Sequence, residues 1–179
     1  MFLICGLECI GNYQFYHHQS NVIVYSECLL LETTLIPSIV LKNINWNFIK
    51  IFMAILIISF LGTFSFQLFK QASLQTIETE YRIYSCIILI FLSGTMIIQQ
   101  SKNTNIHLLL NPLFVLSFSI LFYYGVSLFA QSACHLITDT KYVYLTSQIW
   151  KAHSIVNIFT NLLFTYAIWL SYRQKKLSL

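Results

Sequence analysis

Three carboxylates lie inside apolar stretches of this 179-residue chain: Glu8, Glu27 and Glu32. A charged carboxylate at the centre of a membrane costs about 2.5–3.5 kcal/mol on insertion scales, so such groups usually face a protein interior or water. Glu8 and Glu32 would approach the same layer if their helices were adjacent and antiparallel, whereas Glu27 lies nearer a helix end. These positions fit a hydrogen-bonded structural pair, and they also fit a site that binds a ligand or an ion.

A second set of polar side chains lies on the last apolar stretch. His153, Asn157, Asn161 and Thr165 recur every four residues, and the segment from Ser154 to Tyr172 carries no charge. Each step of four turns about 40° beyond a full circle on a helix, so the four side chains share one side. A membrane helix turns such a stripe towards other helices or towards a polar cavity. Both interpretations stay open. The predicted polar interior comprises Glu8, Glu32, Asn111, His153, Asn157 and Asn161.

The composition indicates the elements that must position these residues. Hydrophobic residues make up 57% of the chain and charged residues only 9%, against about 25% charged in soluble domains. This predicts an all-α integral membrane bundle of six transmembrane helices, followed by a short basic tail at 173–179. The predicted spans lie at about 1–16, 22–41, 51–69, 83–98, 108–130 and 150–172. No link between them is long enough for a soluble domain, so any chemistry lies within the bundle or at its rims.

The basic residues predict the topology. One side carries Lys42, Lys50, Lys102, Arg173, Lys175 and Lys176. The other side carries Lys70, Arg82, Lys141 and Lys151, together with the acids Glu78, Glu80 and Asp139. Because cytoplasmic loops carry the excess of Lys and Arg, the C-terminus is expected in the cytoplasm, with the bundle in the cell membrane.

Catalytic and metal-binding motifs are missing from the sequence. It contains no HExxH, GxSxG or GxGD motif and no glycine-rich phosphate loop, so we expect no enzyme, no cofactor and no metal site. The five cysteines are odd in number and form no CxxC pair, which does not favour a disulfide framework. The basic residues lie at segment ends, so nucleic acid is not an expected partner.

Three groups of residues together carry a family pattern. They are Glu8-Cys9-Ile10-Gly11 with Tyr13, Tyr16, Asn21, Tyr25 and Glu32; Asn111-Pro112-Leu113-Phe114 with Gly125; and Trp150, His153-Ser154-Ile155 and Asn157. In these residues the chain resembles a family of uncharacterised bacterial membrane proteins of about seven helices. Members of that family sometimes lie beside, or are fused to, sensor histidine kinases. They have one more helix before the glutamate-bearing one, so the resemblance implies that this helix is missing here.

The residues and the resemblance together favour a small sensory or signalling membrane module. It would bind an apolar or amphipathic ligand, or a partner's transmembrane helices, in the polar interior. The expected partners are the lipid bilayer and a sensor kinase or another membrane protein. A small transporter or proton-coupled carrier is the first alternative, with the carboxylates as coupling groups. A structural accessory subunit of a membrane complex is the second, and an enzyme that transfers protons on a lipid is the third.

Overall fold

The computed structural model describes residues 22–69, 74–102, 107–136 and 143–177. These ranges confirm the all-α class, because they form five α-helices and one short 3-10 turn at Leu108–Leu110. The helices are α1 (Val22–Asn43), α2 (Asn47–Phe69), α3 (Leu74–Lys102), α4 (Pro112–Leu136) and α5 (Val143–Leu177).

Four of the described helices are long and apolar enough to cross a membrane. The crossing segments are Asn47–Phe66, Glu80–Lys102, Pro112–Ala133 and Tyr144–Lys176. They correspond to the last four of the six predicted spans. The predicted span at 22–41 is helical and forms most of α1, although it is not among these four. The predicted span at 1–16 lies outside the described residues, so the count of six is not confirmed.

Two helices extend well beyond the spans predicted for them. Helix α3 begins at Leu74, inside the predicted polar link, and α5 runs from Val143 to Leu177. Charged residues indicate where a helix leaves the lipid, and they do not end it, because Glu, Gln, Lys and Arg favour helix. Basic residues also interact favourably with the partial negative charge at a helix C-terminus. The predicted basic tail is therefore largely the last turn of α5.

The chain divides into two compact units, 1–88 and 89–179, each of which is described by itself. In the first unit, α2 packs against the first half of α3 through aromatic side chains. Phe60 lies 5.5 Å from Tyr81 in an edge-on arrangement and stacks on Tyr84 at 6.1 Å, while Phe64 lies 5.2 Å from Tyr81. Edge-on and stacked pairs at these distances contribute about 0.5–1.5 kcal/mol each beyond the area that they bury.

In the second unit, α4 and α5 form an antiparallel pair. Successive contacts show the direction, because the residue number rises along α4 while it falls along α5. Val115 clusters with Ala167 and Leu170, Phe122 lies 5.8 Å from Phe159, and Ser127 reaches His153. We call this contact between the two helices the α4–α5 seam. Its alanine, Ala167, lets the helices approach closely, as small residues do between membrane helices.

Candidate functional site

His153 lies in α5 and faces α4. Its Nε2 atom is 2.8 Å from the hydroxyl oxygen of Ser127, which is buried. The imidazole also lies 5.5 Å from the ring of Tyr123 and 5.4 Å from the ring of Trp150. Since one polar side chain is engaged with another across the seam, His153 belongs to the α4–α5 packing.

Asn157 and Asn161 are bonded to each other. The amide nitrogen of Asn161 donates to the side-chain oxygen of Asn157 at 3.0 Å, and the Thr165 hydroxyl donates to the Asn161 carbonyl at 2.9 Å. Asn161 and Thr165 are exposed, and Asn157 is half-buried. The Asn157–Asn161 bond does not use the side-chain oxygen of Asn161 or the side-chain nitrogen of Asn157. Asn161 therefore retains an acceptor oxygen, and Asn157 retains a donor nitrogen, for a further hydrogen bond.

The exposed surface of α5 has two chemically different faces. On a different side of the helix from Ala167 and Leu170 in the α4–α5 seam lies a face that we call the amide face. It consists of Ser154, Asn157, Asn161, Thr165 and Ile168, of which all but Asn157 are exposed. Beyond it, over the length from Ile155 to Trp169, lies an exposed apolar face, which we call the lipid face. It consists of Ile155, Ile158, Leu162 and Trp169.

Asn111 occupies the start of α4. Its side-chain oxygen accepts hydrogen bonds from the backbone N–H groups of Leu113 at 3.0 Å and Phe114 at 3.4 Å, so it caps the helix. Its side-chain nitrogen donates to the amide oxygen of Gln100 in α3 at 2.9 Å. Asn111 and Ser127 are 16 residues apart on α4, which is about 24 Å along the axis. The Asn111–Gln100 and Ser127–His153 pairs thus lie towards opposite ends of this helix.

Replacing Asn111 with alanine should destabilise the second unit by about 0.5–2 kcal/mol, the range measured for lost caps. The loss has two causes, because the first turn of α4 loses its acceptor and Gln100 loses a hydrogen-bond donor. Unfolding in mixed micelles of increasing SDS content measures the change. Leu109→Ala is the matched control, since Leu109 precedes the cap and is exposed. Equal stability of the two variants would contradict a capping role.

Glu32 lies in the first unit, on α1. It is 5% exposed, and both it and Arg82 lie within electrostatic range of the Cys86 thiol in α3. The hydroxyl of Thr33, beside it, donates to the Leu29 carbonyl at 2.6 Å. Glu32 is therefore a buried acid among polar and charged groups of its own unit.

The interior predicted from the sequence combined residues of both units. Asn111, His153, Asn157 and Asn161 belong to the second unit, and Glu32 to the first. Glu8 lies outside the described residues. A shared interior formed by the acids and the stripe of α5 stays a prediction. Within the second unit, His153 contacts α4, Asn157 and Asn161 contact each other, and Asn111 contacts Gln100.

Thr160 is a buried residue of α5 whose hydroxyl makes no hydrogen bond to the described residues. The side chain is 1% exposed, and its hydroxyl finds no hydrogen-bond partner within the described parts of the chain. A buried, unpaired hydroxyl costs about 1–3 kcal/mol. Replacing such a hydroxyl by an apolar group of the same shape is therefore expected to stabilise the folded protein.

Thr160→Val should therefore raise the stability of the second unit, by about 1 kcal/mol. SDS-induced unfolding measures the shift. Thr33→Val provides the contrast, because the Thr33 hydroxyl is bonded to a backbone carbonyl and its removal should bring no gain. A destabilised Thr160→Val variant would show that this hydroxyl has a partner, such as a bound water.

Sequence reasoning missed two residues that the structure places at the site. Ser127 and Gln100 are both buried and bonded to predicted site residues. Gln99-Gln100 directly follows the predicted fourth span, and this polar pair at the end of an apolar run was the available signal. No feature of the sequence singled out Ser127, since serine is common in membrane helices. Among the described residues no group of three or more His, Cys, Asp or Glu side chains is placed to hold a metal ion.

The chain matches no known family model, no curated protein and no solved structure. Its class therefore rests on its own architecture. It is an all-helical protein with four candidate membrane-spanning helices among the described residues. The resemblance to the kinase-associated family stays a prediction.

Proposed function

We propose that this protein is a small sensory or signalling membrane module that acts by binding another transmembrane helix on the amide face of α5. The observation that supports the proposal most directly is the exposure of Asn161 and Thr165 within Tyr144–Lys176. A carboxamide that faces hydrocarbon leaves hydrogen-bonding groups without partners, at a cost of a few kcal/mol. Contact with another helix removes that cost.

The lipid face provides the internal contrast. Ile155, Ile158 and Leu162 lie on the same helix, are well exposed and are apolar, so they suit contact with acyl chains. A helix needed only as a membrane anchor would carry such residues over its whole exposed surface. Between Ser154 and Leu170 the exposed Ser, Asn and Thr side chains are restricted to one side, which favours a specific contact there over general contact with water.

The proposed topology places the C-terminus in the cytoplasm. In the second unit, the side chain of Gln174 donates to the Leu110 carbonyl at 3.0 Å, and Asn111 bonds to Gln100. The end of α3, the start of α4 and the end of α5 are therefore at the same end of this unit. This end carries Lys102, Arg173, Lys175 and Lys176. Such a cluster favours the cytoplasmic side and suits a contact with a cytoplasmic signalling partner.

Site-specific photo-crosslinking in intact membranes tests the proposal. A photoreactive amino acid replaces either Ile168, on the amide face, or Leu162, on the lipid face; their exposures are 62% and 64%. This pair matches in residue type and exposure and leaves both asparagines in place. We expect protein adducts from position 168, identified by mass spectrometry, and lipid adducts from position 162. Lipid adducts alone from both positions would contradict partner binding.

A proton-coupled carrier is the second candidate, and the burial of Glu32 favours it. A carboxyl group at 5% exposure on α1 is the kind of buried acid that proton carriers use in their relays. Proton flux in liposomes that contain the full chain tests this candidate. It requires flux that Glu32→Gln abolishes and that Glu80→Gln, at an exposed acid, leaves unchanged. Flux that does not depend on Glu32 would remove it.

A further inference from the structure

We propose that the helix that covers the amide face is α5 of a second copy of this chain, so that the protein forms a parallel two-fold dimer along this face. The inference rests on the proposed function, because it names the partner that binds the same surface. Three properties of the face favour a second copy: its hydrogen-bonding groups, its lack of charge and the spacing of its residues.

The hydrogen-bonding groups of the amide face are complementary to themselves. A carboxamide carries two N–H donors and an acceptor oxygen with two lone pairs, so one asparagine pairs fully with another. The bond between Asn161 and Asn157 uses one donor and one acceptor at 3.0 Å, which leaves the rest of both amides available. A second copy presents the same two amides and satisfies the remaining groups without any other residue type.

The face carries no charge. Ser154, Asn157, Asn161, Thr165 and Ile168 are all neutral, so two copies meet without repulsion between like charges. A partner that presented Lys, Arg, Asp or Glu at this depth would place a charge opposite neutral groups and would lose much of its solvation. A neutral polar face is therefore the expected partner surface, and a second copy provides one.

The spacing suits a helix of the same direction. From Ser154 the steps are three, four, four and three residues, to Asn157, Asn161, Thr165 and Ile168. Steps of three and four produce the seam along which two membrane helices cross at about 20°. All copies of a membrane protein share one orientation, so their two-fold axis is perpendicular to the membrane. That axis places each residue of one α5 beside the same residue of the other, asparagine against asparagine.

The pairing leaves the other sides of α5 unchanged. The seam residues Ala167 and Leu170 lie about 120° and 180° around α5 from the centre of the amide face, so the pairing does not touch them. The lipid face lies about 90° around the helix from the amide face and stays in contact with acyl chains. One helix therefore serves an internal contact, a dimer contact and a lipid contact without conflict.

Energy transfer between labelled full-length chains in lipid vesicles measures the association. Equal amounts of donor-labelled and acceptor-labelled protein are diluted with lipid until transfer falls by half. We expect Asn157→Leu combined with Asn161→Leu to weaken association about tenfold, since each interhelical hydrogen bond contributes modestly. Ile155→Leu combined with Ile158→Leu is the matched control on the lipid face and should leave the dilution curve unchanged. Association that is unchanged by removing the two asparagines would overturn a dimer along the amide face.

Disulfide trapping gives a readout that does not depend on removing an amide. In a full-length variant whose five cysteines are replaced by alanine, Ile168→Cys should form a disulfide-linked dimer in membranes, and Leu162→Cys should not. Equal trapping at both positions, or none at either, would overturn the dimer.

The two proposals fail separately. If position 168 crosslinks to a different protein and Ile168→Cys gives no dimer, the dimer is wrong and partner binding stands. If position 168 crosslinks to another segment of the same chain, the face is internal and both proposals are wrong. If position 168 contacts only lipid, both are again wrong.

Discussion

Phe60→Ala should destabilise the first unit more than any other truncation on α2. The ring is 1% exposed and contacts Phe64, Tyr81 and Tyr84 at 5.5–6.1 Å. In water-soluble cores such a change costs about 3–5 kcal/mol. In lipid the transfer part of that cost largely vanishes, because acyl chains are as apolar as the core. We therefore expect a loss of about 1–3 kcal/mol from the cavity and the broken ring contacts.

SDS-induced unfolding of the purified protein measures this loss. Phe48→Ala is the control on the same helix, because Phe48 is 81% exposed and its removal creates no cavity. Phe60→Leu should recover part of the stability, since it refills much of the volume. If Phe60→Ala and Phe48→Ala unfold alike, the aromatic cluster does not hold α2 against α3.

Ala167→Phe should separate α5 from α4. Ala167 is buried in a cluster with Val115 and Leu170, and the added ring has no space there. Inserting large groups into a packed core costs about 1–3 kcal/mol, and more where two backbones lie close. The contacts that depend on the seam should weaken with it, among them the Ser127–His153 bond at 2.8 Å and the Gln174–Leu110 bond at 3.0 Å.

Leu162→Phe is the matched control, because it introduces the same side chain on the lipid face at a residue that is 64% exposed. It should fold and unfold like the wild type. Proteolysis near the ends of α5 gives a second readout, since a detached C-terminal end is cut faster. A stable Ala167→Phe variant would contradict the close α4–α5 seam.

The sequence predicted the helices better than it predicted their partners. Long uncharged runs such as 51–69 and 108–130 identify membrane helices, because only apolar side chains tolerate hydrocarbon. The helices α3 and α5 extend several residues beyond the spans predicted for them. Charge marks where a helix leaves the lipid, whereas backbone hydrogen bonding continues for as long as the residues favour helix, as Arg173 to Lys176 do.

In the candidate site, too, the sequence predicted the positions of side chains on one helix better than it predicted their contacts with other helices. The spacing of Asn157, Asn161 and Thr165 correctly predicted that they share one side of a helix. It did not predict that His153 would turn to Ser127, since a step of four also rotates the first residue of a stripe about 40° from the second. That rotation brings His153 to the α4 seam and leaves Asn161 outside it. The partner of Asn111 was missed because Gln100 is contributed by a different helix, and periodicity within one helix carries no information about a second.

The claim that another helix covers the amide face is tested most directly by measuring how far each face of α5 is exposed to lipid in vesicles. Spin labels at single cysteines report collisions with oxygen dissolved in the acyl chains. The labelled positions are Ser154 and Ile168 on the amide face, and Ile155 and Leu162 on the lipid face, because these two pairs are about 80–140° apart around the helix. We expect frequent collisions on the lipid face and several-fold fewer on the amide face, because a second α5 shields it. Equal collision rates on the two faces would show that lipid covers both, and would contradict a helix-binding role for α5.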